Sequence, residues 1–245
     1  MLYASANAYQ TKNPLTLTLF PLLLNKTIAL RQQMNKIRKK VSKESHMFDF
    51  YPEKIYSRVE VMGKPSPVPP VNGVYFWWFK EIPPGVPTDG CITYDAYTLL
   101  YVGISPDQRG KPNSRSNLRT RIKTHYSGNA AGSTLRRTLG VLLSSVSSFP
   151  LRRVGSGSRM TFTHPGEQWL DAWMENNAKV HWLPAEAPWE LEDTLIASLF
   201  LPLNIRGNAH DFKMTLSGMR SKAAAQARLM EIADERGFRR RLAAQ

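Results

Sequence analysis

Cysteine is almost missing from this chain: Cys91 is the only one in 245 residues. A single thiol forms no intramolecular disulfide and builds no cysteine-based zinc site, so the usage fits a reducing cytoplasm. Long apolar runs are missing too. The most hydrophobic stretch, Leu15 to Leu24, is ten residues with Pro21 inside it, too short to span a bilayer. It lacks a basic leader and a small-residue cleavage site, which argues against a signal peptide and against a membrane partner. No internal repeat recurs. Acid is scarce, with 19 Asp and Glu against 33 Lys and Arg, giving a formal charge of +14. The excess is uneven: residues 73–160 carry +8 and residues 161–212 carry −6. A basic surface beside an acidic patch suits a polyanionic partner together with a cation site. The competing reading is a charge excess that only serves solubility.

The composition that remains is that of a soluble globular protein, 21% charged and 42% hydrophobic, long enough to bury one good core with material left for extensions. Residues 25–46 place apolar side chains at roughly helical spacing among Lys, Arg and Gln, a basic helix suited to a phosphate backbone. Lys64 to Pro70 is a stiff proline connector. Strands are expected at Gly73–Phe79, Thr98–Ile104, Met160–His164 and Lys179–Leu183. Helices are expected at about Ser116–Tyr126, from a Ser133 cap to Leu143, at Glu167–Asn176, at Trp189–Phe200 and at Lys213–Glu235. A small sheet flanked by helices is an α+β domain. The expected organisation is a basic N-terminal extension and connector over 1–71, a central domain over 72–206 and a basic helical extension over 207–245.

Six polar residues stand out. Tyr75 closes Gly73-Val74-Tyr75, and Tyr101 opens Tyr101-Val102-Gly103. Arg121 and His125 lie four apart on one helix, Glu192 lies in Leu191-Glu192-Asp193-Thr194-Leu195-Ile196, and Asn204 follows Pro202-Leu203. Tyrosine, arginine, histidine and one carboxylate are suited to hydrolysing a phosphodiester around one hard cation. In this order the set resembles the GIY-YIG nuclease family over about residues 72–204. Two features depart from its short-hairpin members: the tyrosines are 26 residues apart, and Ile104-Ser105 stand where several members have a lysine. Arg109, Lys111 or Lys123 would have to supply that cation. Long insertions, with no recognisable zinc or second catalytic module, are more similar to the restriction-endonuclease-like branch.

The resemblance implies a small antiparallel sheet with both tyrosine segments on neighbouring strands. It implies a one-metal endonuclease using Mg²⁺ (or Mn²⁺), with Glu192 as the metal ligand. Tyr75 is then the base and Tyr101 orients water or phosphate. Arg121 stabilises the transition state, and His125 bonds phosphate, assists proton transfer or makes a structural hydrogen bond. Asn204 holds a neighbouring backbone or Glu192. The partner implied is DNA, double-stranded, with a homodimer or homotetramer for double-strand cutting. A type II restriction endonuclease leads. A repair, mobile-element or single-strand nuclease, or an inactive nucleic-acid-binding protein, is the alternative. Arg109, Lys111, Arg115, Arg119, Lys123, Arg136 and Arg137 are candidate nucleic-acid contacts, with Arg152, Arg153 and the terminal basic segments beyond them. His210 either closes the site or caps the last helix.

Overall fold

A computed structural model describes residues 50–107 and 113–235. The segments 15–24, 25–46 and 239–241, and the loop residues Arg109 and Lys111, lie outside the described residues. In chain order the elements are α1 (Arg58–Met62), β1 (Gly73–Phe79), β2 (Thr93–Tyr94), β3 (Tyr97–Ser105), α2 (Leu118–Ser127) and α3 (Thr134–Leu142). There follow α4 (Ser144–Ser147), β4 (Arg152–Val154), β5 (Arg159–Thr161), α5 (Thr163–Asn177), β6 (Ala178–Pro184), α6 (Pro188–Ser198) and α7 (Phe212–Leu229). Four strands form an antiparallel sheet of order β2-β3-β1-β6, and β4 and β5 form a separate hairpin. This is the expected α+β architecture.

The sheet is organised by β1, whose every residue is buried. An aromatic and β-branched run suits an extended strand covered on both faces. Alternation sends Tyr75, Trp77 and Phe79 to one face and Val74, Phe76 and Trp78 to the other. On the first face Trp77 meets Tyr126 of α2 edge-on, ring centroids 4.7 Å apart, and Phe79 faces Trp173 of α5 at 6.1 Å. On the second, Phe76 stacks on His181 at 4.3 Å and Trp78 Nε1 donates to His181 Nδ1 at 2.8 Å.

Register then sets the positions that matter. Gly103 lies opposite Tyr75, and Tyr101 opposite Trp77. Between Trp77 and Trp78 the ladder slips, so Leu100 is a bulge residue without a β1 partner. Its carbonyl accepts instead from the Leu203 amide at 3.0 Å.

Local chemistry starts the helices. The Asn117 side chain accepts from the Thr120 amide in a capping box at the head of α2, and Ser133 Oγ accepts from the Arg136 amide at the head of α3. Pro188 stands in the first turn of α6, where a missing N–H costs nothing. The expected strand at Met160–His164 stops at Thr161, because α5 begins at Thr163 rather than Glu167. Pro165 lies in that first turn and is tolerated there for the same reason. Helix α7 packs on α3 and β4 and buries Leu216 and Ala227 in the core. Among the described residues no helix is long and apolar enough to cross a membrane.

Candidate active site

Tyr75 is buried in the central strand, and its hydroxyl reaches two side chains of α2. His125 Nε2 lies 2.9 Å away, and Arg121 Nε donates to it at 3.4 Å. The spacing of Arg121 and His125, one helical turn apart, is what lets both meet one phenol. Gly103 makes room for it: a Cβ built there would fall 2.5 Å from the Tyr75 hydroxyl oxygen. The glycine after the second tyrosine is therefore a matter of clearance for the first.

His125 is fully buried, and its second nitrogen, Nδ1, lies 2.7 Å from Ser133 Oγ. Ser133 thus caps α3 and orients the imidazole at the same time. Its role at the site escaped the sequence reading, which had Ser133 only as a helix cap. Burial holds the imidazole well below its ordinary range, and the charges of Arg121 and Arg136 act in the same direction. The ring is neutral and carries one N–H. Burial also pushes the Tyr75 phenol upward, against the opposing charge of Arg121. Arg121 favours the phenolate, but burial outweighs it.

Arg121 is anchored at its other end, where Nη1 donates to the Gly132 carbonyl at 2.9 Å. That carbonyl immediately precedes the α3 cap. Tyr101, on β3, shares the face of Tyr75 and Trp77, and burial raises its phenol too. Glu192, on α6, is part-buried, and its charge acts on both phenols, raising each. Helix α6 packs on β3 and β1, which brings this carboxylate to the tyrosines. Tyr75, Tyr101, Arg121 and His125 lie together, and the Glu192 charge reaches both phenols from α6.

Asn204 contributes differently. Among the described residues the edge of β3 beyond Thr98 has no strand partner, because β2 pairs only with Tyr97 and Thr98. Asn204 covers it: Oδ1 accepts from the Val102 amide at 2.9 Å, and Nδ2 donates to the Val102 carbonyl at 2.8 Å. Its side-chain amide stands in for a strand and fixes the backbone between Tyr101 and Gly103. Of the two expected tasks for Asn204, holding backbone is the one seen.

The expected nucleic-acid contacts divide. Arg136 needs correcting: it is fully buried, donating from Nε and Nη2 to Glu167 at 3.0 and 2.8 Å and from Nη1 to Asp171 at 2.6 Å. A guanidinium consumed by two carboxylates inside the protein has nothing left for a phosphate. Arg119 and Lys123 line a groove with Asn117, Thr120 and Ser127 on the outer face of α2, and Arg119 Nε donates to the Val68 carbonyl at 2.7 Å. Lys123 is two residues from Arg121, hence on the opposite side of the helix, and does not supply the cation where the family has lysine. Arg115 is exposed, and Arg137 lies beside α7. Arg152 and Arg153 donate to the Glu231 and Met230 carbonyls past the end of α7, a structural task. His210 Nδ1 accepts from the Phe212 amide at 3.1 Å, so it satisfies the first amide of α7.

A phenol held by imidazole and guanidinium, within reach of a carboxylate charge from α6, suits phosphodiester chemistry. A family profile described as the GIY-YIG catalytic domain matches residues 73–222, from the first residue of β1 into α7. The chain belongs to the GIY-YIG family and is an endonuclease that hydrolyses phosphodiester bonds of nucleic acid. No curated protein and no solved structure matches it.

Proposed function

We propose that the protein is a DNA endonuclease that uses one divalent cation, Mg²⁺ (or Mn²⁺), per active site, held by Glu192. The observation that carries this is the convergence of Tyr75, His125 and Arg121, with the Glu192 charge felt by both phenols. The donor set fits such an ion. Among the described residues no group of three or more His, Cys, Asp or Glu sits together, so the one carboxylate would be completed by water and substrate phosphate. Magnesium, which keeps its waters, is bound in that manner. When bound, the cation supplies positive charge at the phosphate and leaving oxygens.

The chain's own residues account for the proton and the phosphate. Arg121 uses Nε and Nη1 on Tyr75 and Gly132, which leaves Nη2 for a phosphate oxygen. Tyr75 takes a proton from the attacking water as its own hydroxyl proton passes to His125 Nε2, while Nδ1–H remains on Ser133 Oγ. The water oxygen joins phosphorus and the leaving oxygen departs with a proton from solvent. The products are a phosphate monoester and a free hydroxyl. Tyr101 orients the water or phosphate.

The interval of 26 residues between the tyrosines, and the terminal extensions, favour sequence-specific cutting of both strands as in a type II restriction endonuclease. Two active sites, in a homodimer or homotetramer, are then needed. Plasmid incubated with Mg²⁺ gives discrete fragments on this reading, and chelation with EDTA stops cleavage. Glu192→Ala retains DNA binding and loses cleavage. A Glu192→Ala enzyme that cuts at the wild-type rate refutes the metal assignment. A smear refutes sequence specificity and favours a repair, mobile-element or single-strand nuclease.

A further inference from the structure

The face of α7 turned toward the body runs Leu216, Arg220, Ala223 and Ala227, at helical spacing. Leu216 and Ala227 are fully buried, and Ala223 and Ala224 pack against the core. Arg220 therefore sits in an apolar stripe and is itself part-buried. Helix α7 packs on α3, from which Arg137 comes, and Arg137 Nε is buried without any hydrogen-bond partner. The neighbouring Arg136 is matched by two carboxylates. Neither Arg137 nor Arg220 has a carboxylate partner among the described residues. Burial lowers the proton affinity of Arg220, the charge of Arg137 lowers it further, and Tyr101 raises it. Arg220 is thus within electrostatic reach of both Arg137 and Tyr101.

Two like charges in a partly desolvated place, one with an unsatisfied N–H, are costly until an anion joins them. Arg121, Arg220 and Arg137 come from three different helices, and Arg121 sits on the Tyr75 hydroxyl. The anion that repeats at a fixed step beside a scissile phosphodiester is the next phosphate of the same strand. We propose that Arg220 and Arg137 bind a backbone phosphate flanking the scissile one, so that α7 forms a wall of the substrate channel. The proposal rests on the endonuclease reading of the site and adds a second phosphate position to it.

The test is equilibrium binding of a short DNA duplex in EDTA, across a series of salt concentrations, to the full chain and to Arg137→Gln, Arg220→Gln and Arg220→Lys. Each glutamine variant is expected to bind roughly tenfold more weakly. Each should flatten the dependence of log K on log salt by about 0.9. The loss should be equal on unrelated sequences, as for any contact to phosphate. Arg220→Lys should recover most of the slope, and it decides the matter if Arg220→Gln melts early. Unchanged slopes in both glutamine variants, or an effect on turnover alone, overturn the proposal. A wild-type protein that binds no nucleic acid sinks the endonuclease reading along with it, which separates the two failures.

Discussion

The Tyr75 hydroxyl lies 2.9 Å from His125 Nε2, and His125 Nδ1 lies 2.7 Å from Ser133 Oγ, with all three residues buried. Because the folded imidazole resists protonation, it links stability to acid. An unfolded histidine takes up its proton near about pH 6.5. Above that pH neither state binds the proton and this group adds no pH dependence. Below it the unfolded state binds more protons, so stability falls as the pH drops. Urea midpoints should be level above about pH 7 and decline below about pH 6.5, and His125→Gln should lack that part of the decline. The same variant should cut roughly 10²- to 10⁴-fold more slowly. A midpoint that declines equally in wild type and variant would show that His125 takes no part.

Gly103 and Tyr75 face each other across the β1–β3 ladder, and the clearance between them leaves no room for a methyl group. Gly103→Ala should displace the phenol from His125 by a fraction of its hydrogen-bond length. Misplacement of a reacting group by about 1 Å costs on the order of 10²-fold in rate. Overpacking should cost about 1–3 kcal/mol of stability. Single-turnover cleavage at saturating enzyme reads the rate directly. Wild-type turnover in a folded Gly103→Ala would remove the clearance argument.

Asn204→Ala should unsettle β3 rather than the chemistry itself. It strands the buried Val102 N–H and C=O, which the Asn204 amide otherwise satisfies at 2.9 and 2.8 Å. Each unsatisfied backbone group costs roughly 1–3 kcal/mol. Asn204→Asp keeps an acceptor for Val102 N–H and loses the donor for its carbonyl, so its urea midpoint should fall between those of wild type and the alanine variant. If aspartate proves as destabilising as alanine, the backbone account of Asn204 fails.

Much of this was readable beforehand, for local reasons. The limits of β1 are those of an aromatic run stopped by Lys80, and Ser133 and Asn117 announce their helices by capping chemistry. The tyrosines, Arg121, His125 and Glu192 stand out because, in this order and on these kinds of element, they resemble the GIY-YIG family. What failed depends on partners distant in number. Arg136 and Arg137 look alike in sequence, and Glu167 and Asp171, 31 and 35 positions beyond Arg136, decide which turns inward. The second task of Ser133 needs His125 brought against it by packing. Arg220 gave no signal, because its electrostatic reach to Tyr101 and Arg137 follows from α7 docking on α3. Leu100 became a bulge because the segment around Leu203 competes for its carbonyl.

Adjacent arginines on α3 should therefore respond in opposite ways to substitution. Arg136→Ala leaves the Glu167 and Asp171 carboxylates without their buried cation, while Glu167 Oε1 also holds the Ala130 and Phe162 amides at 2.8 and 3.2 Å. Breaking a buried pair from one side costs about 3–5 kcal/mol. The loss should appear as a large drop in the urea midpoint. Folded Arg136→Ala should still bind duplex DNA with the wild-type salt dependence, since its guanidinium touches no solvent. Arg137→Gln should show the reverse, a near wild-type midpoint with a flattened salt dependence. A flattened salt dependence at unchanged stability in Arg136→Ala would return that residue to the nucleic-acid surface.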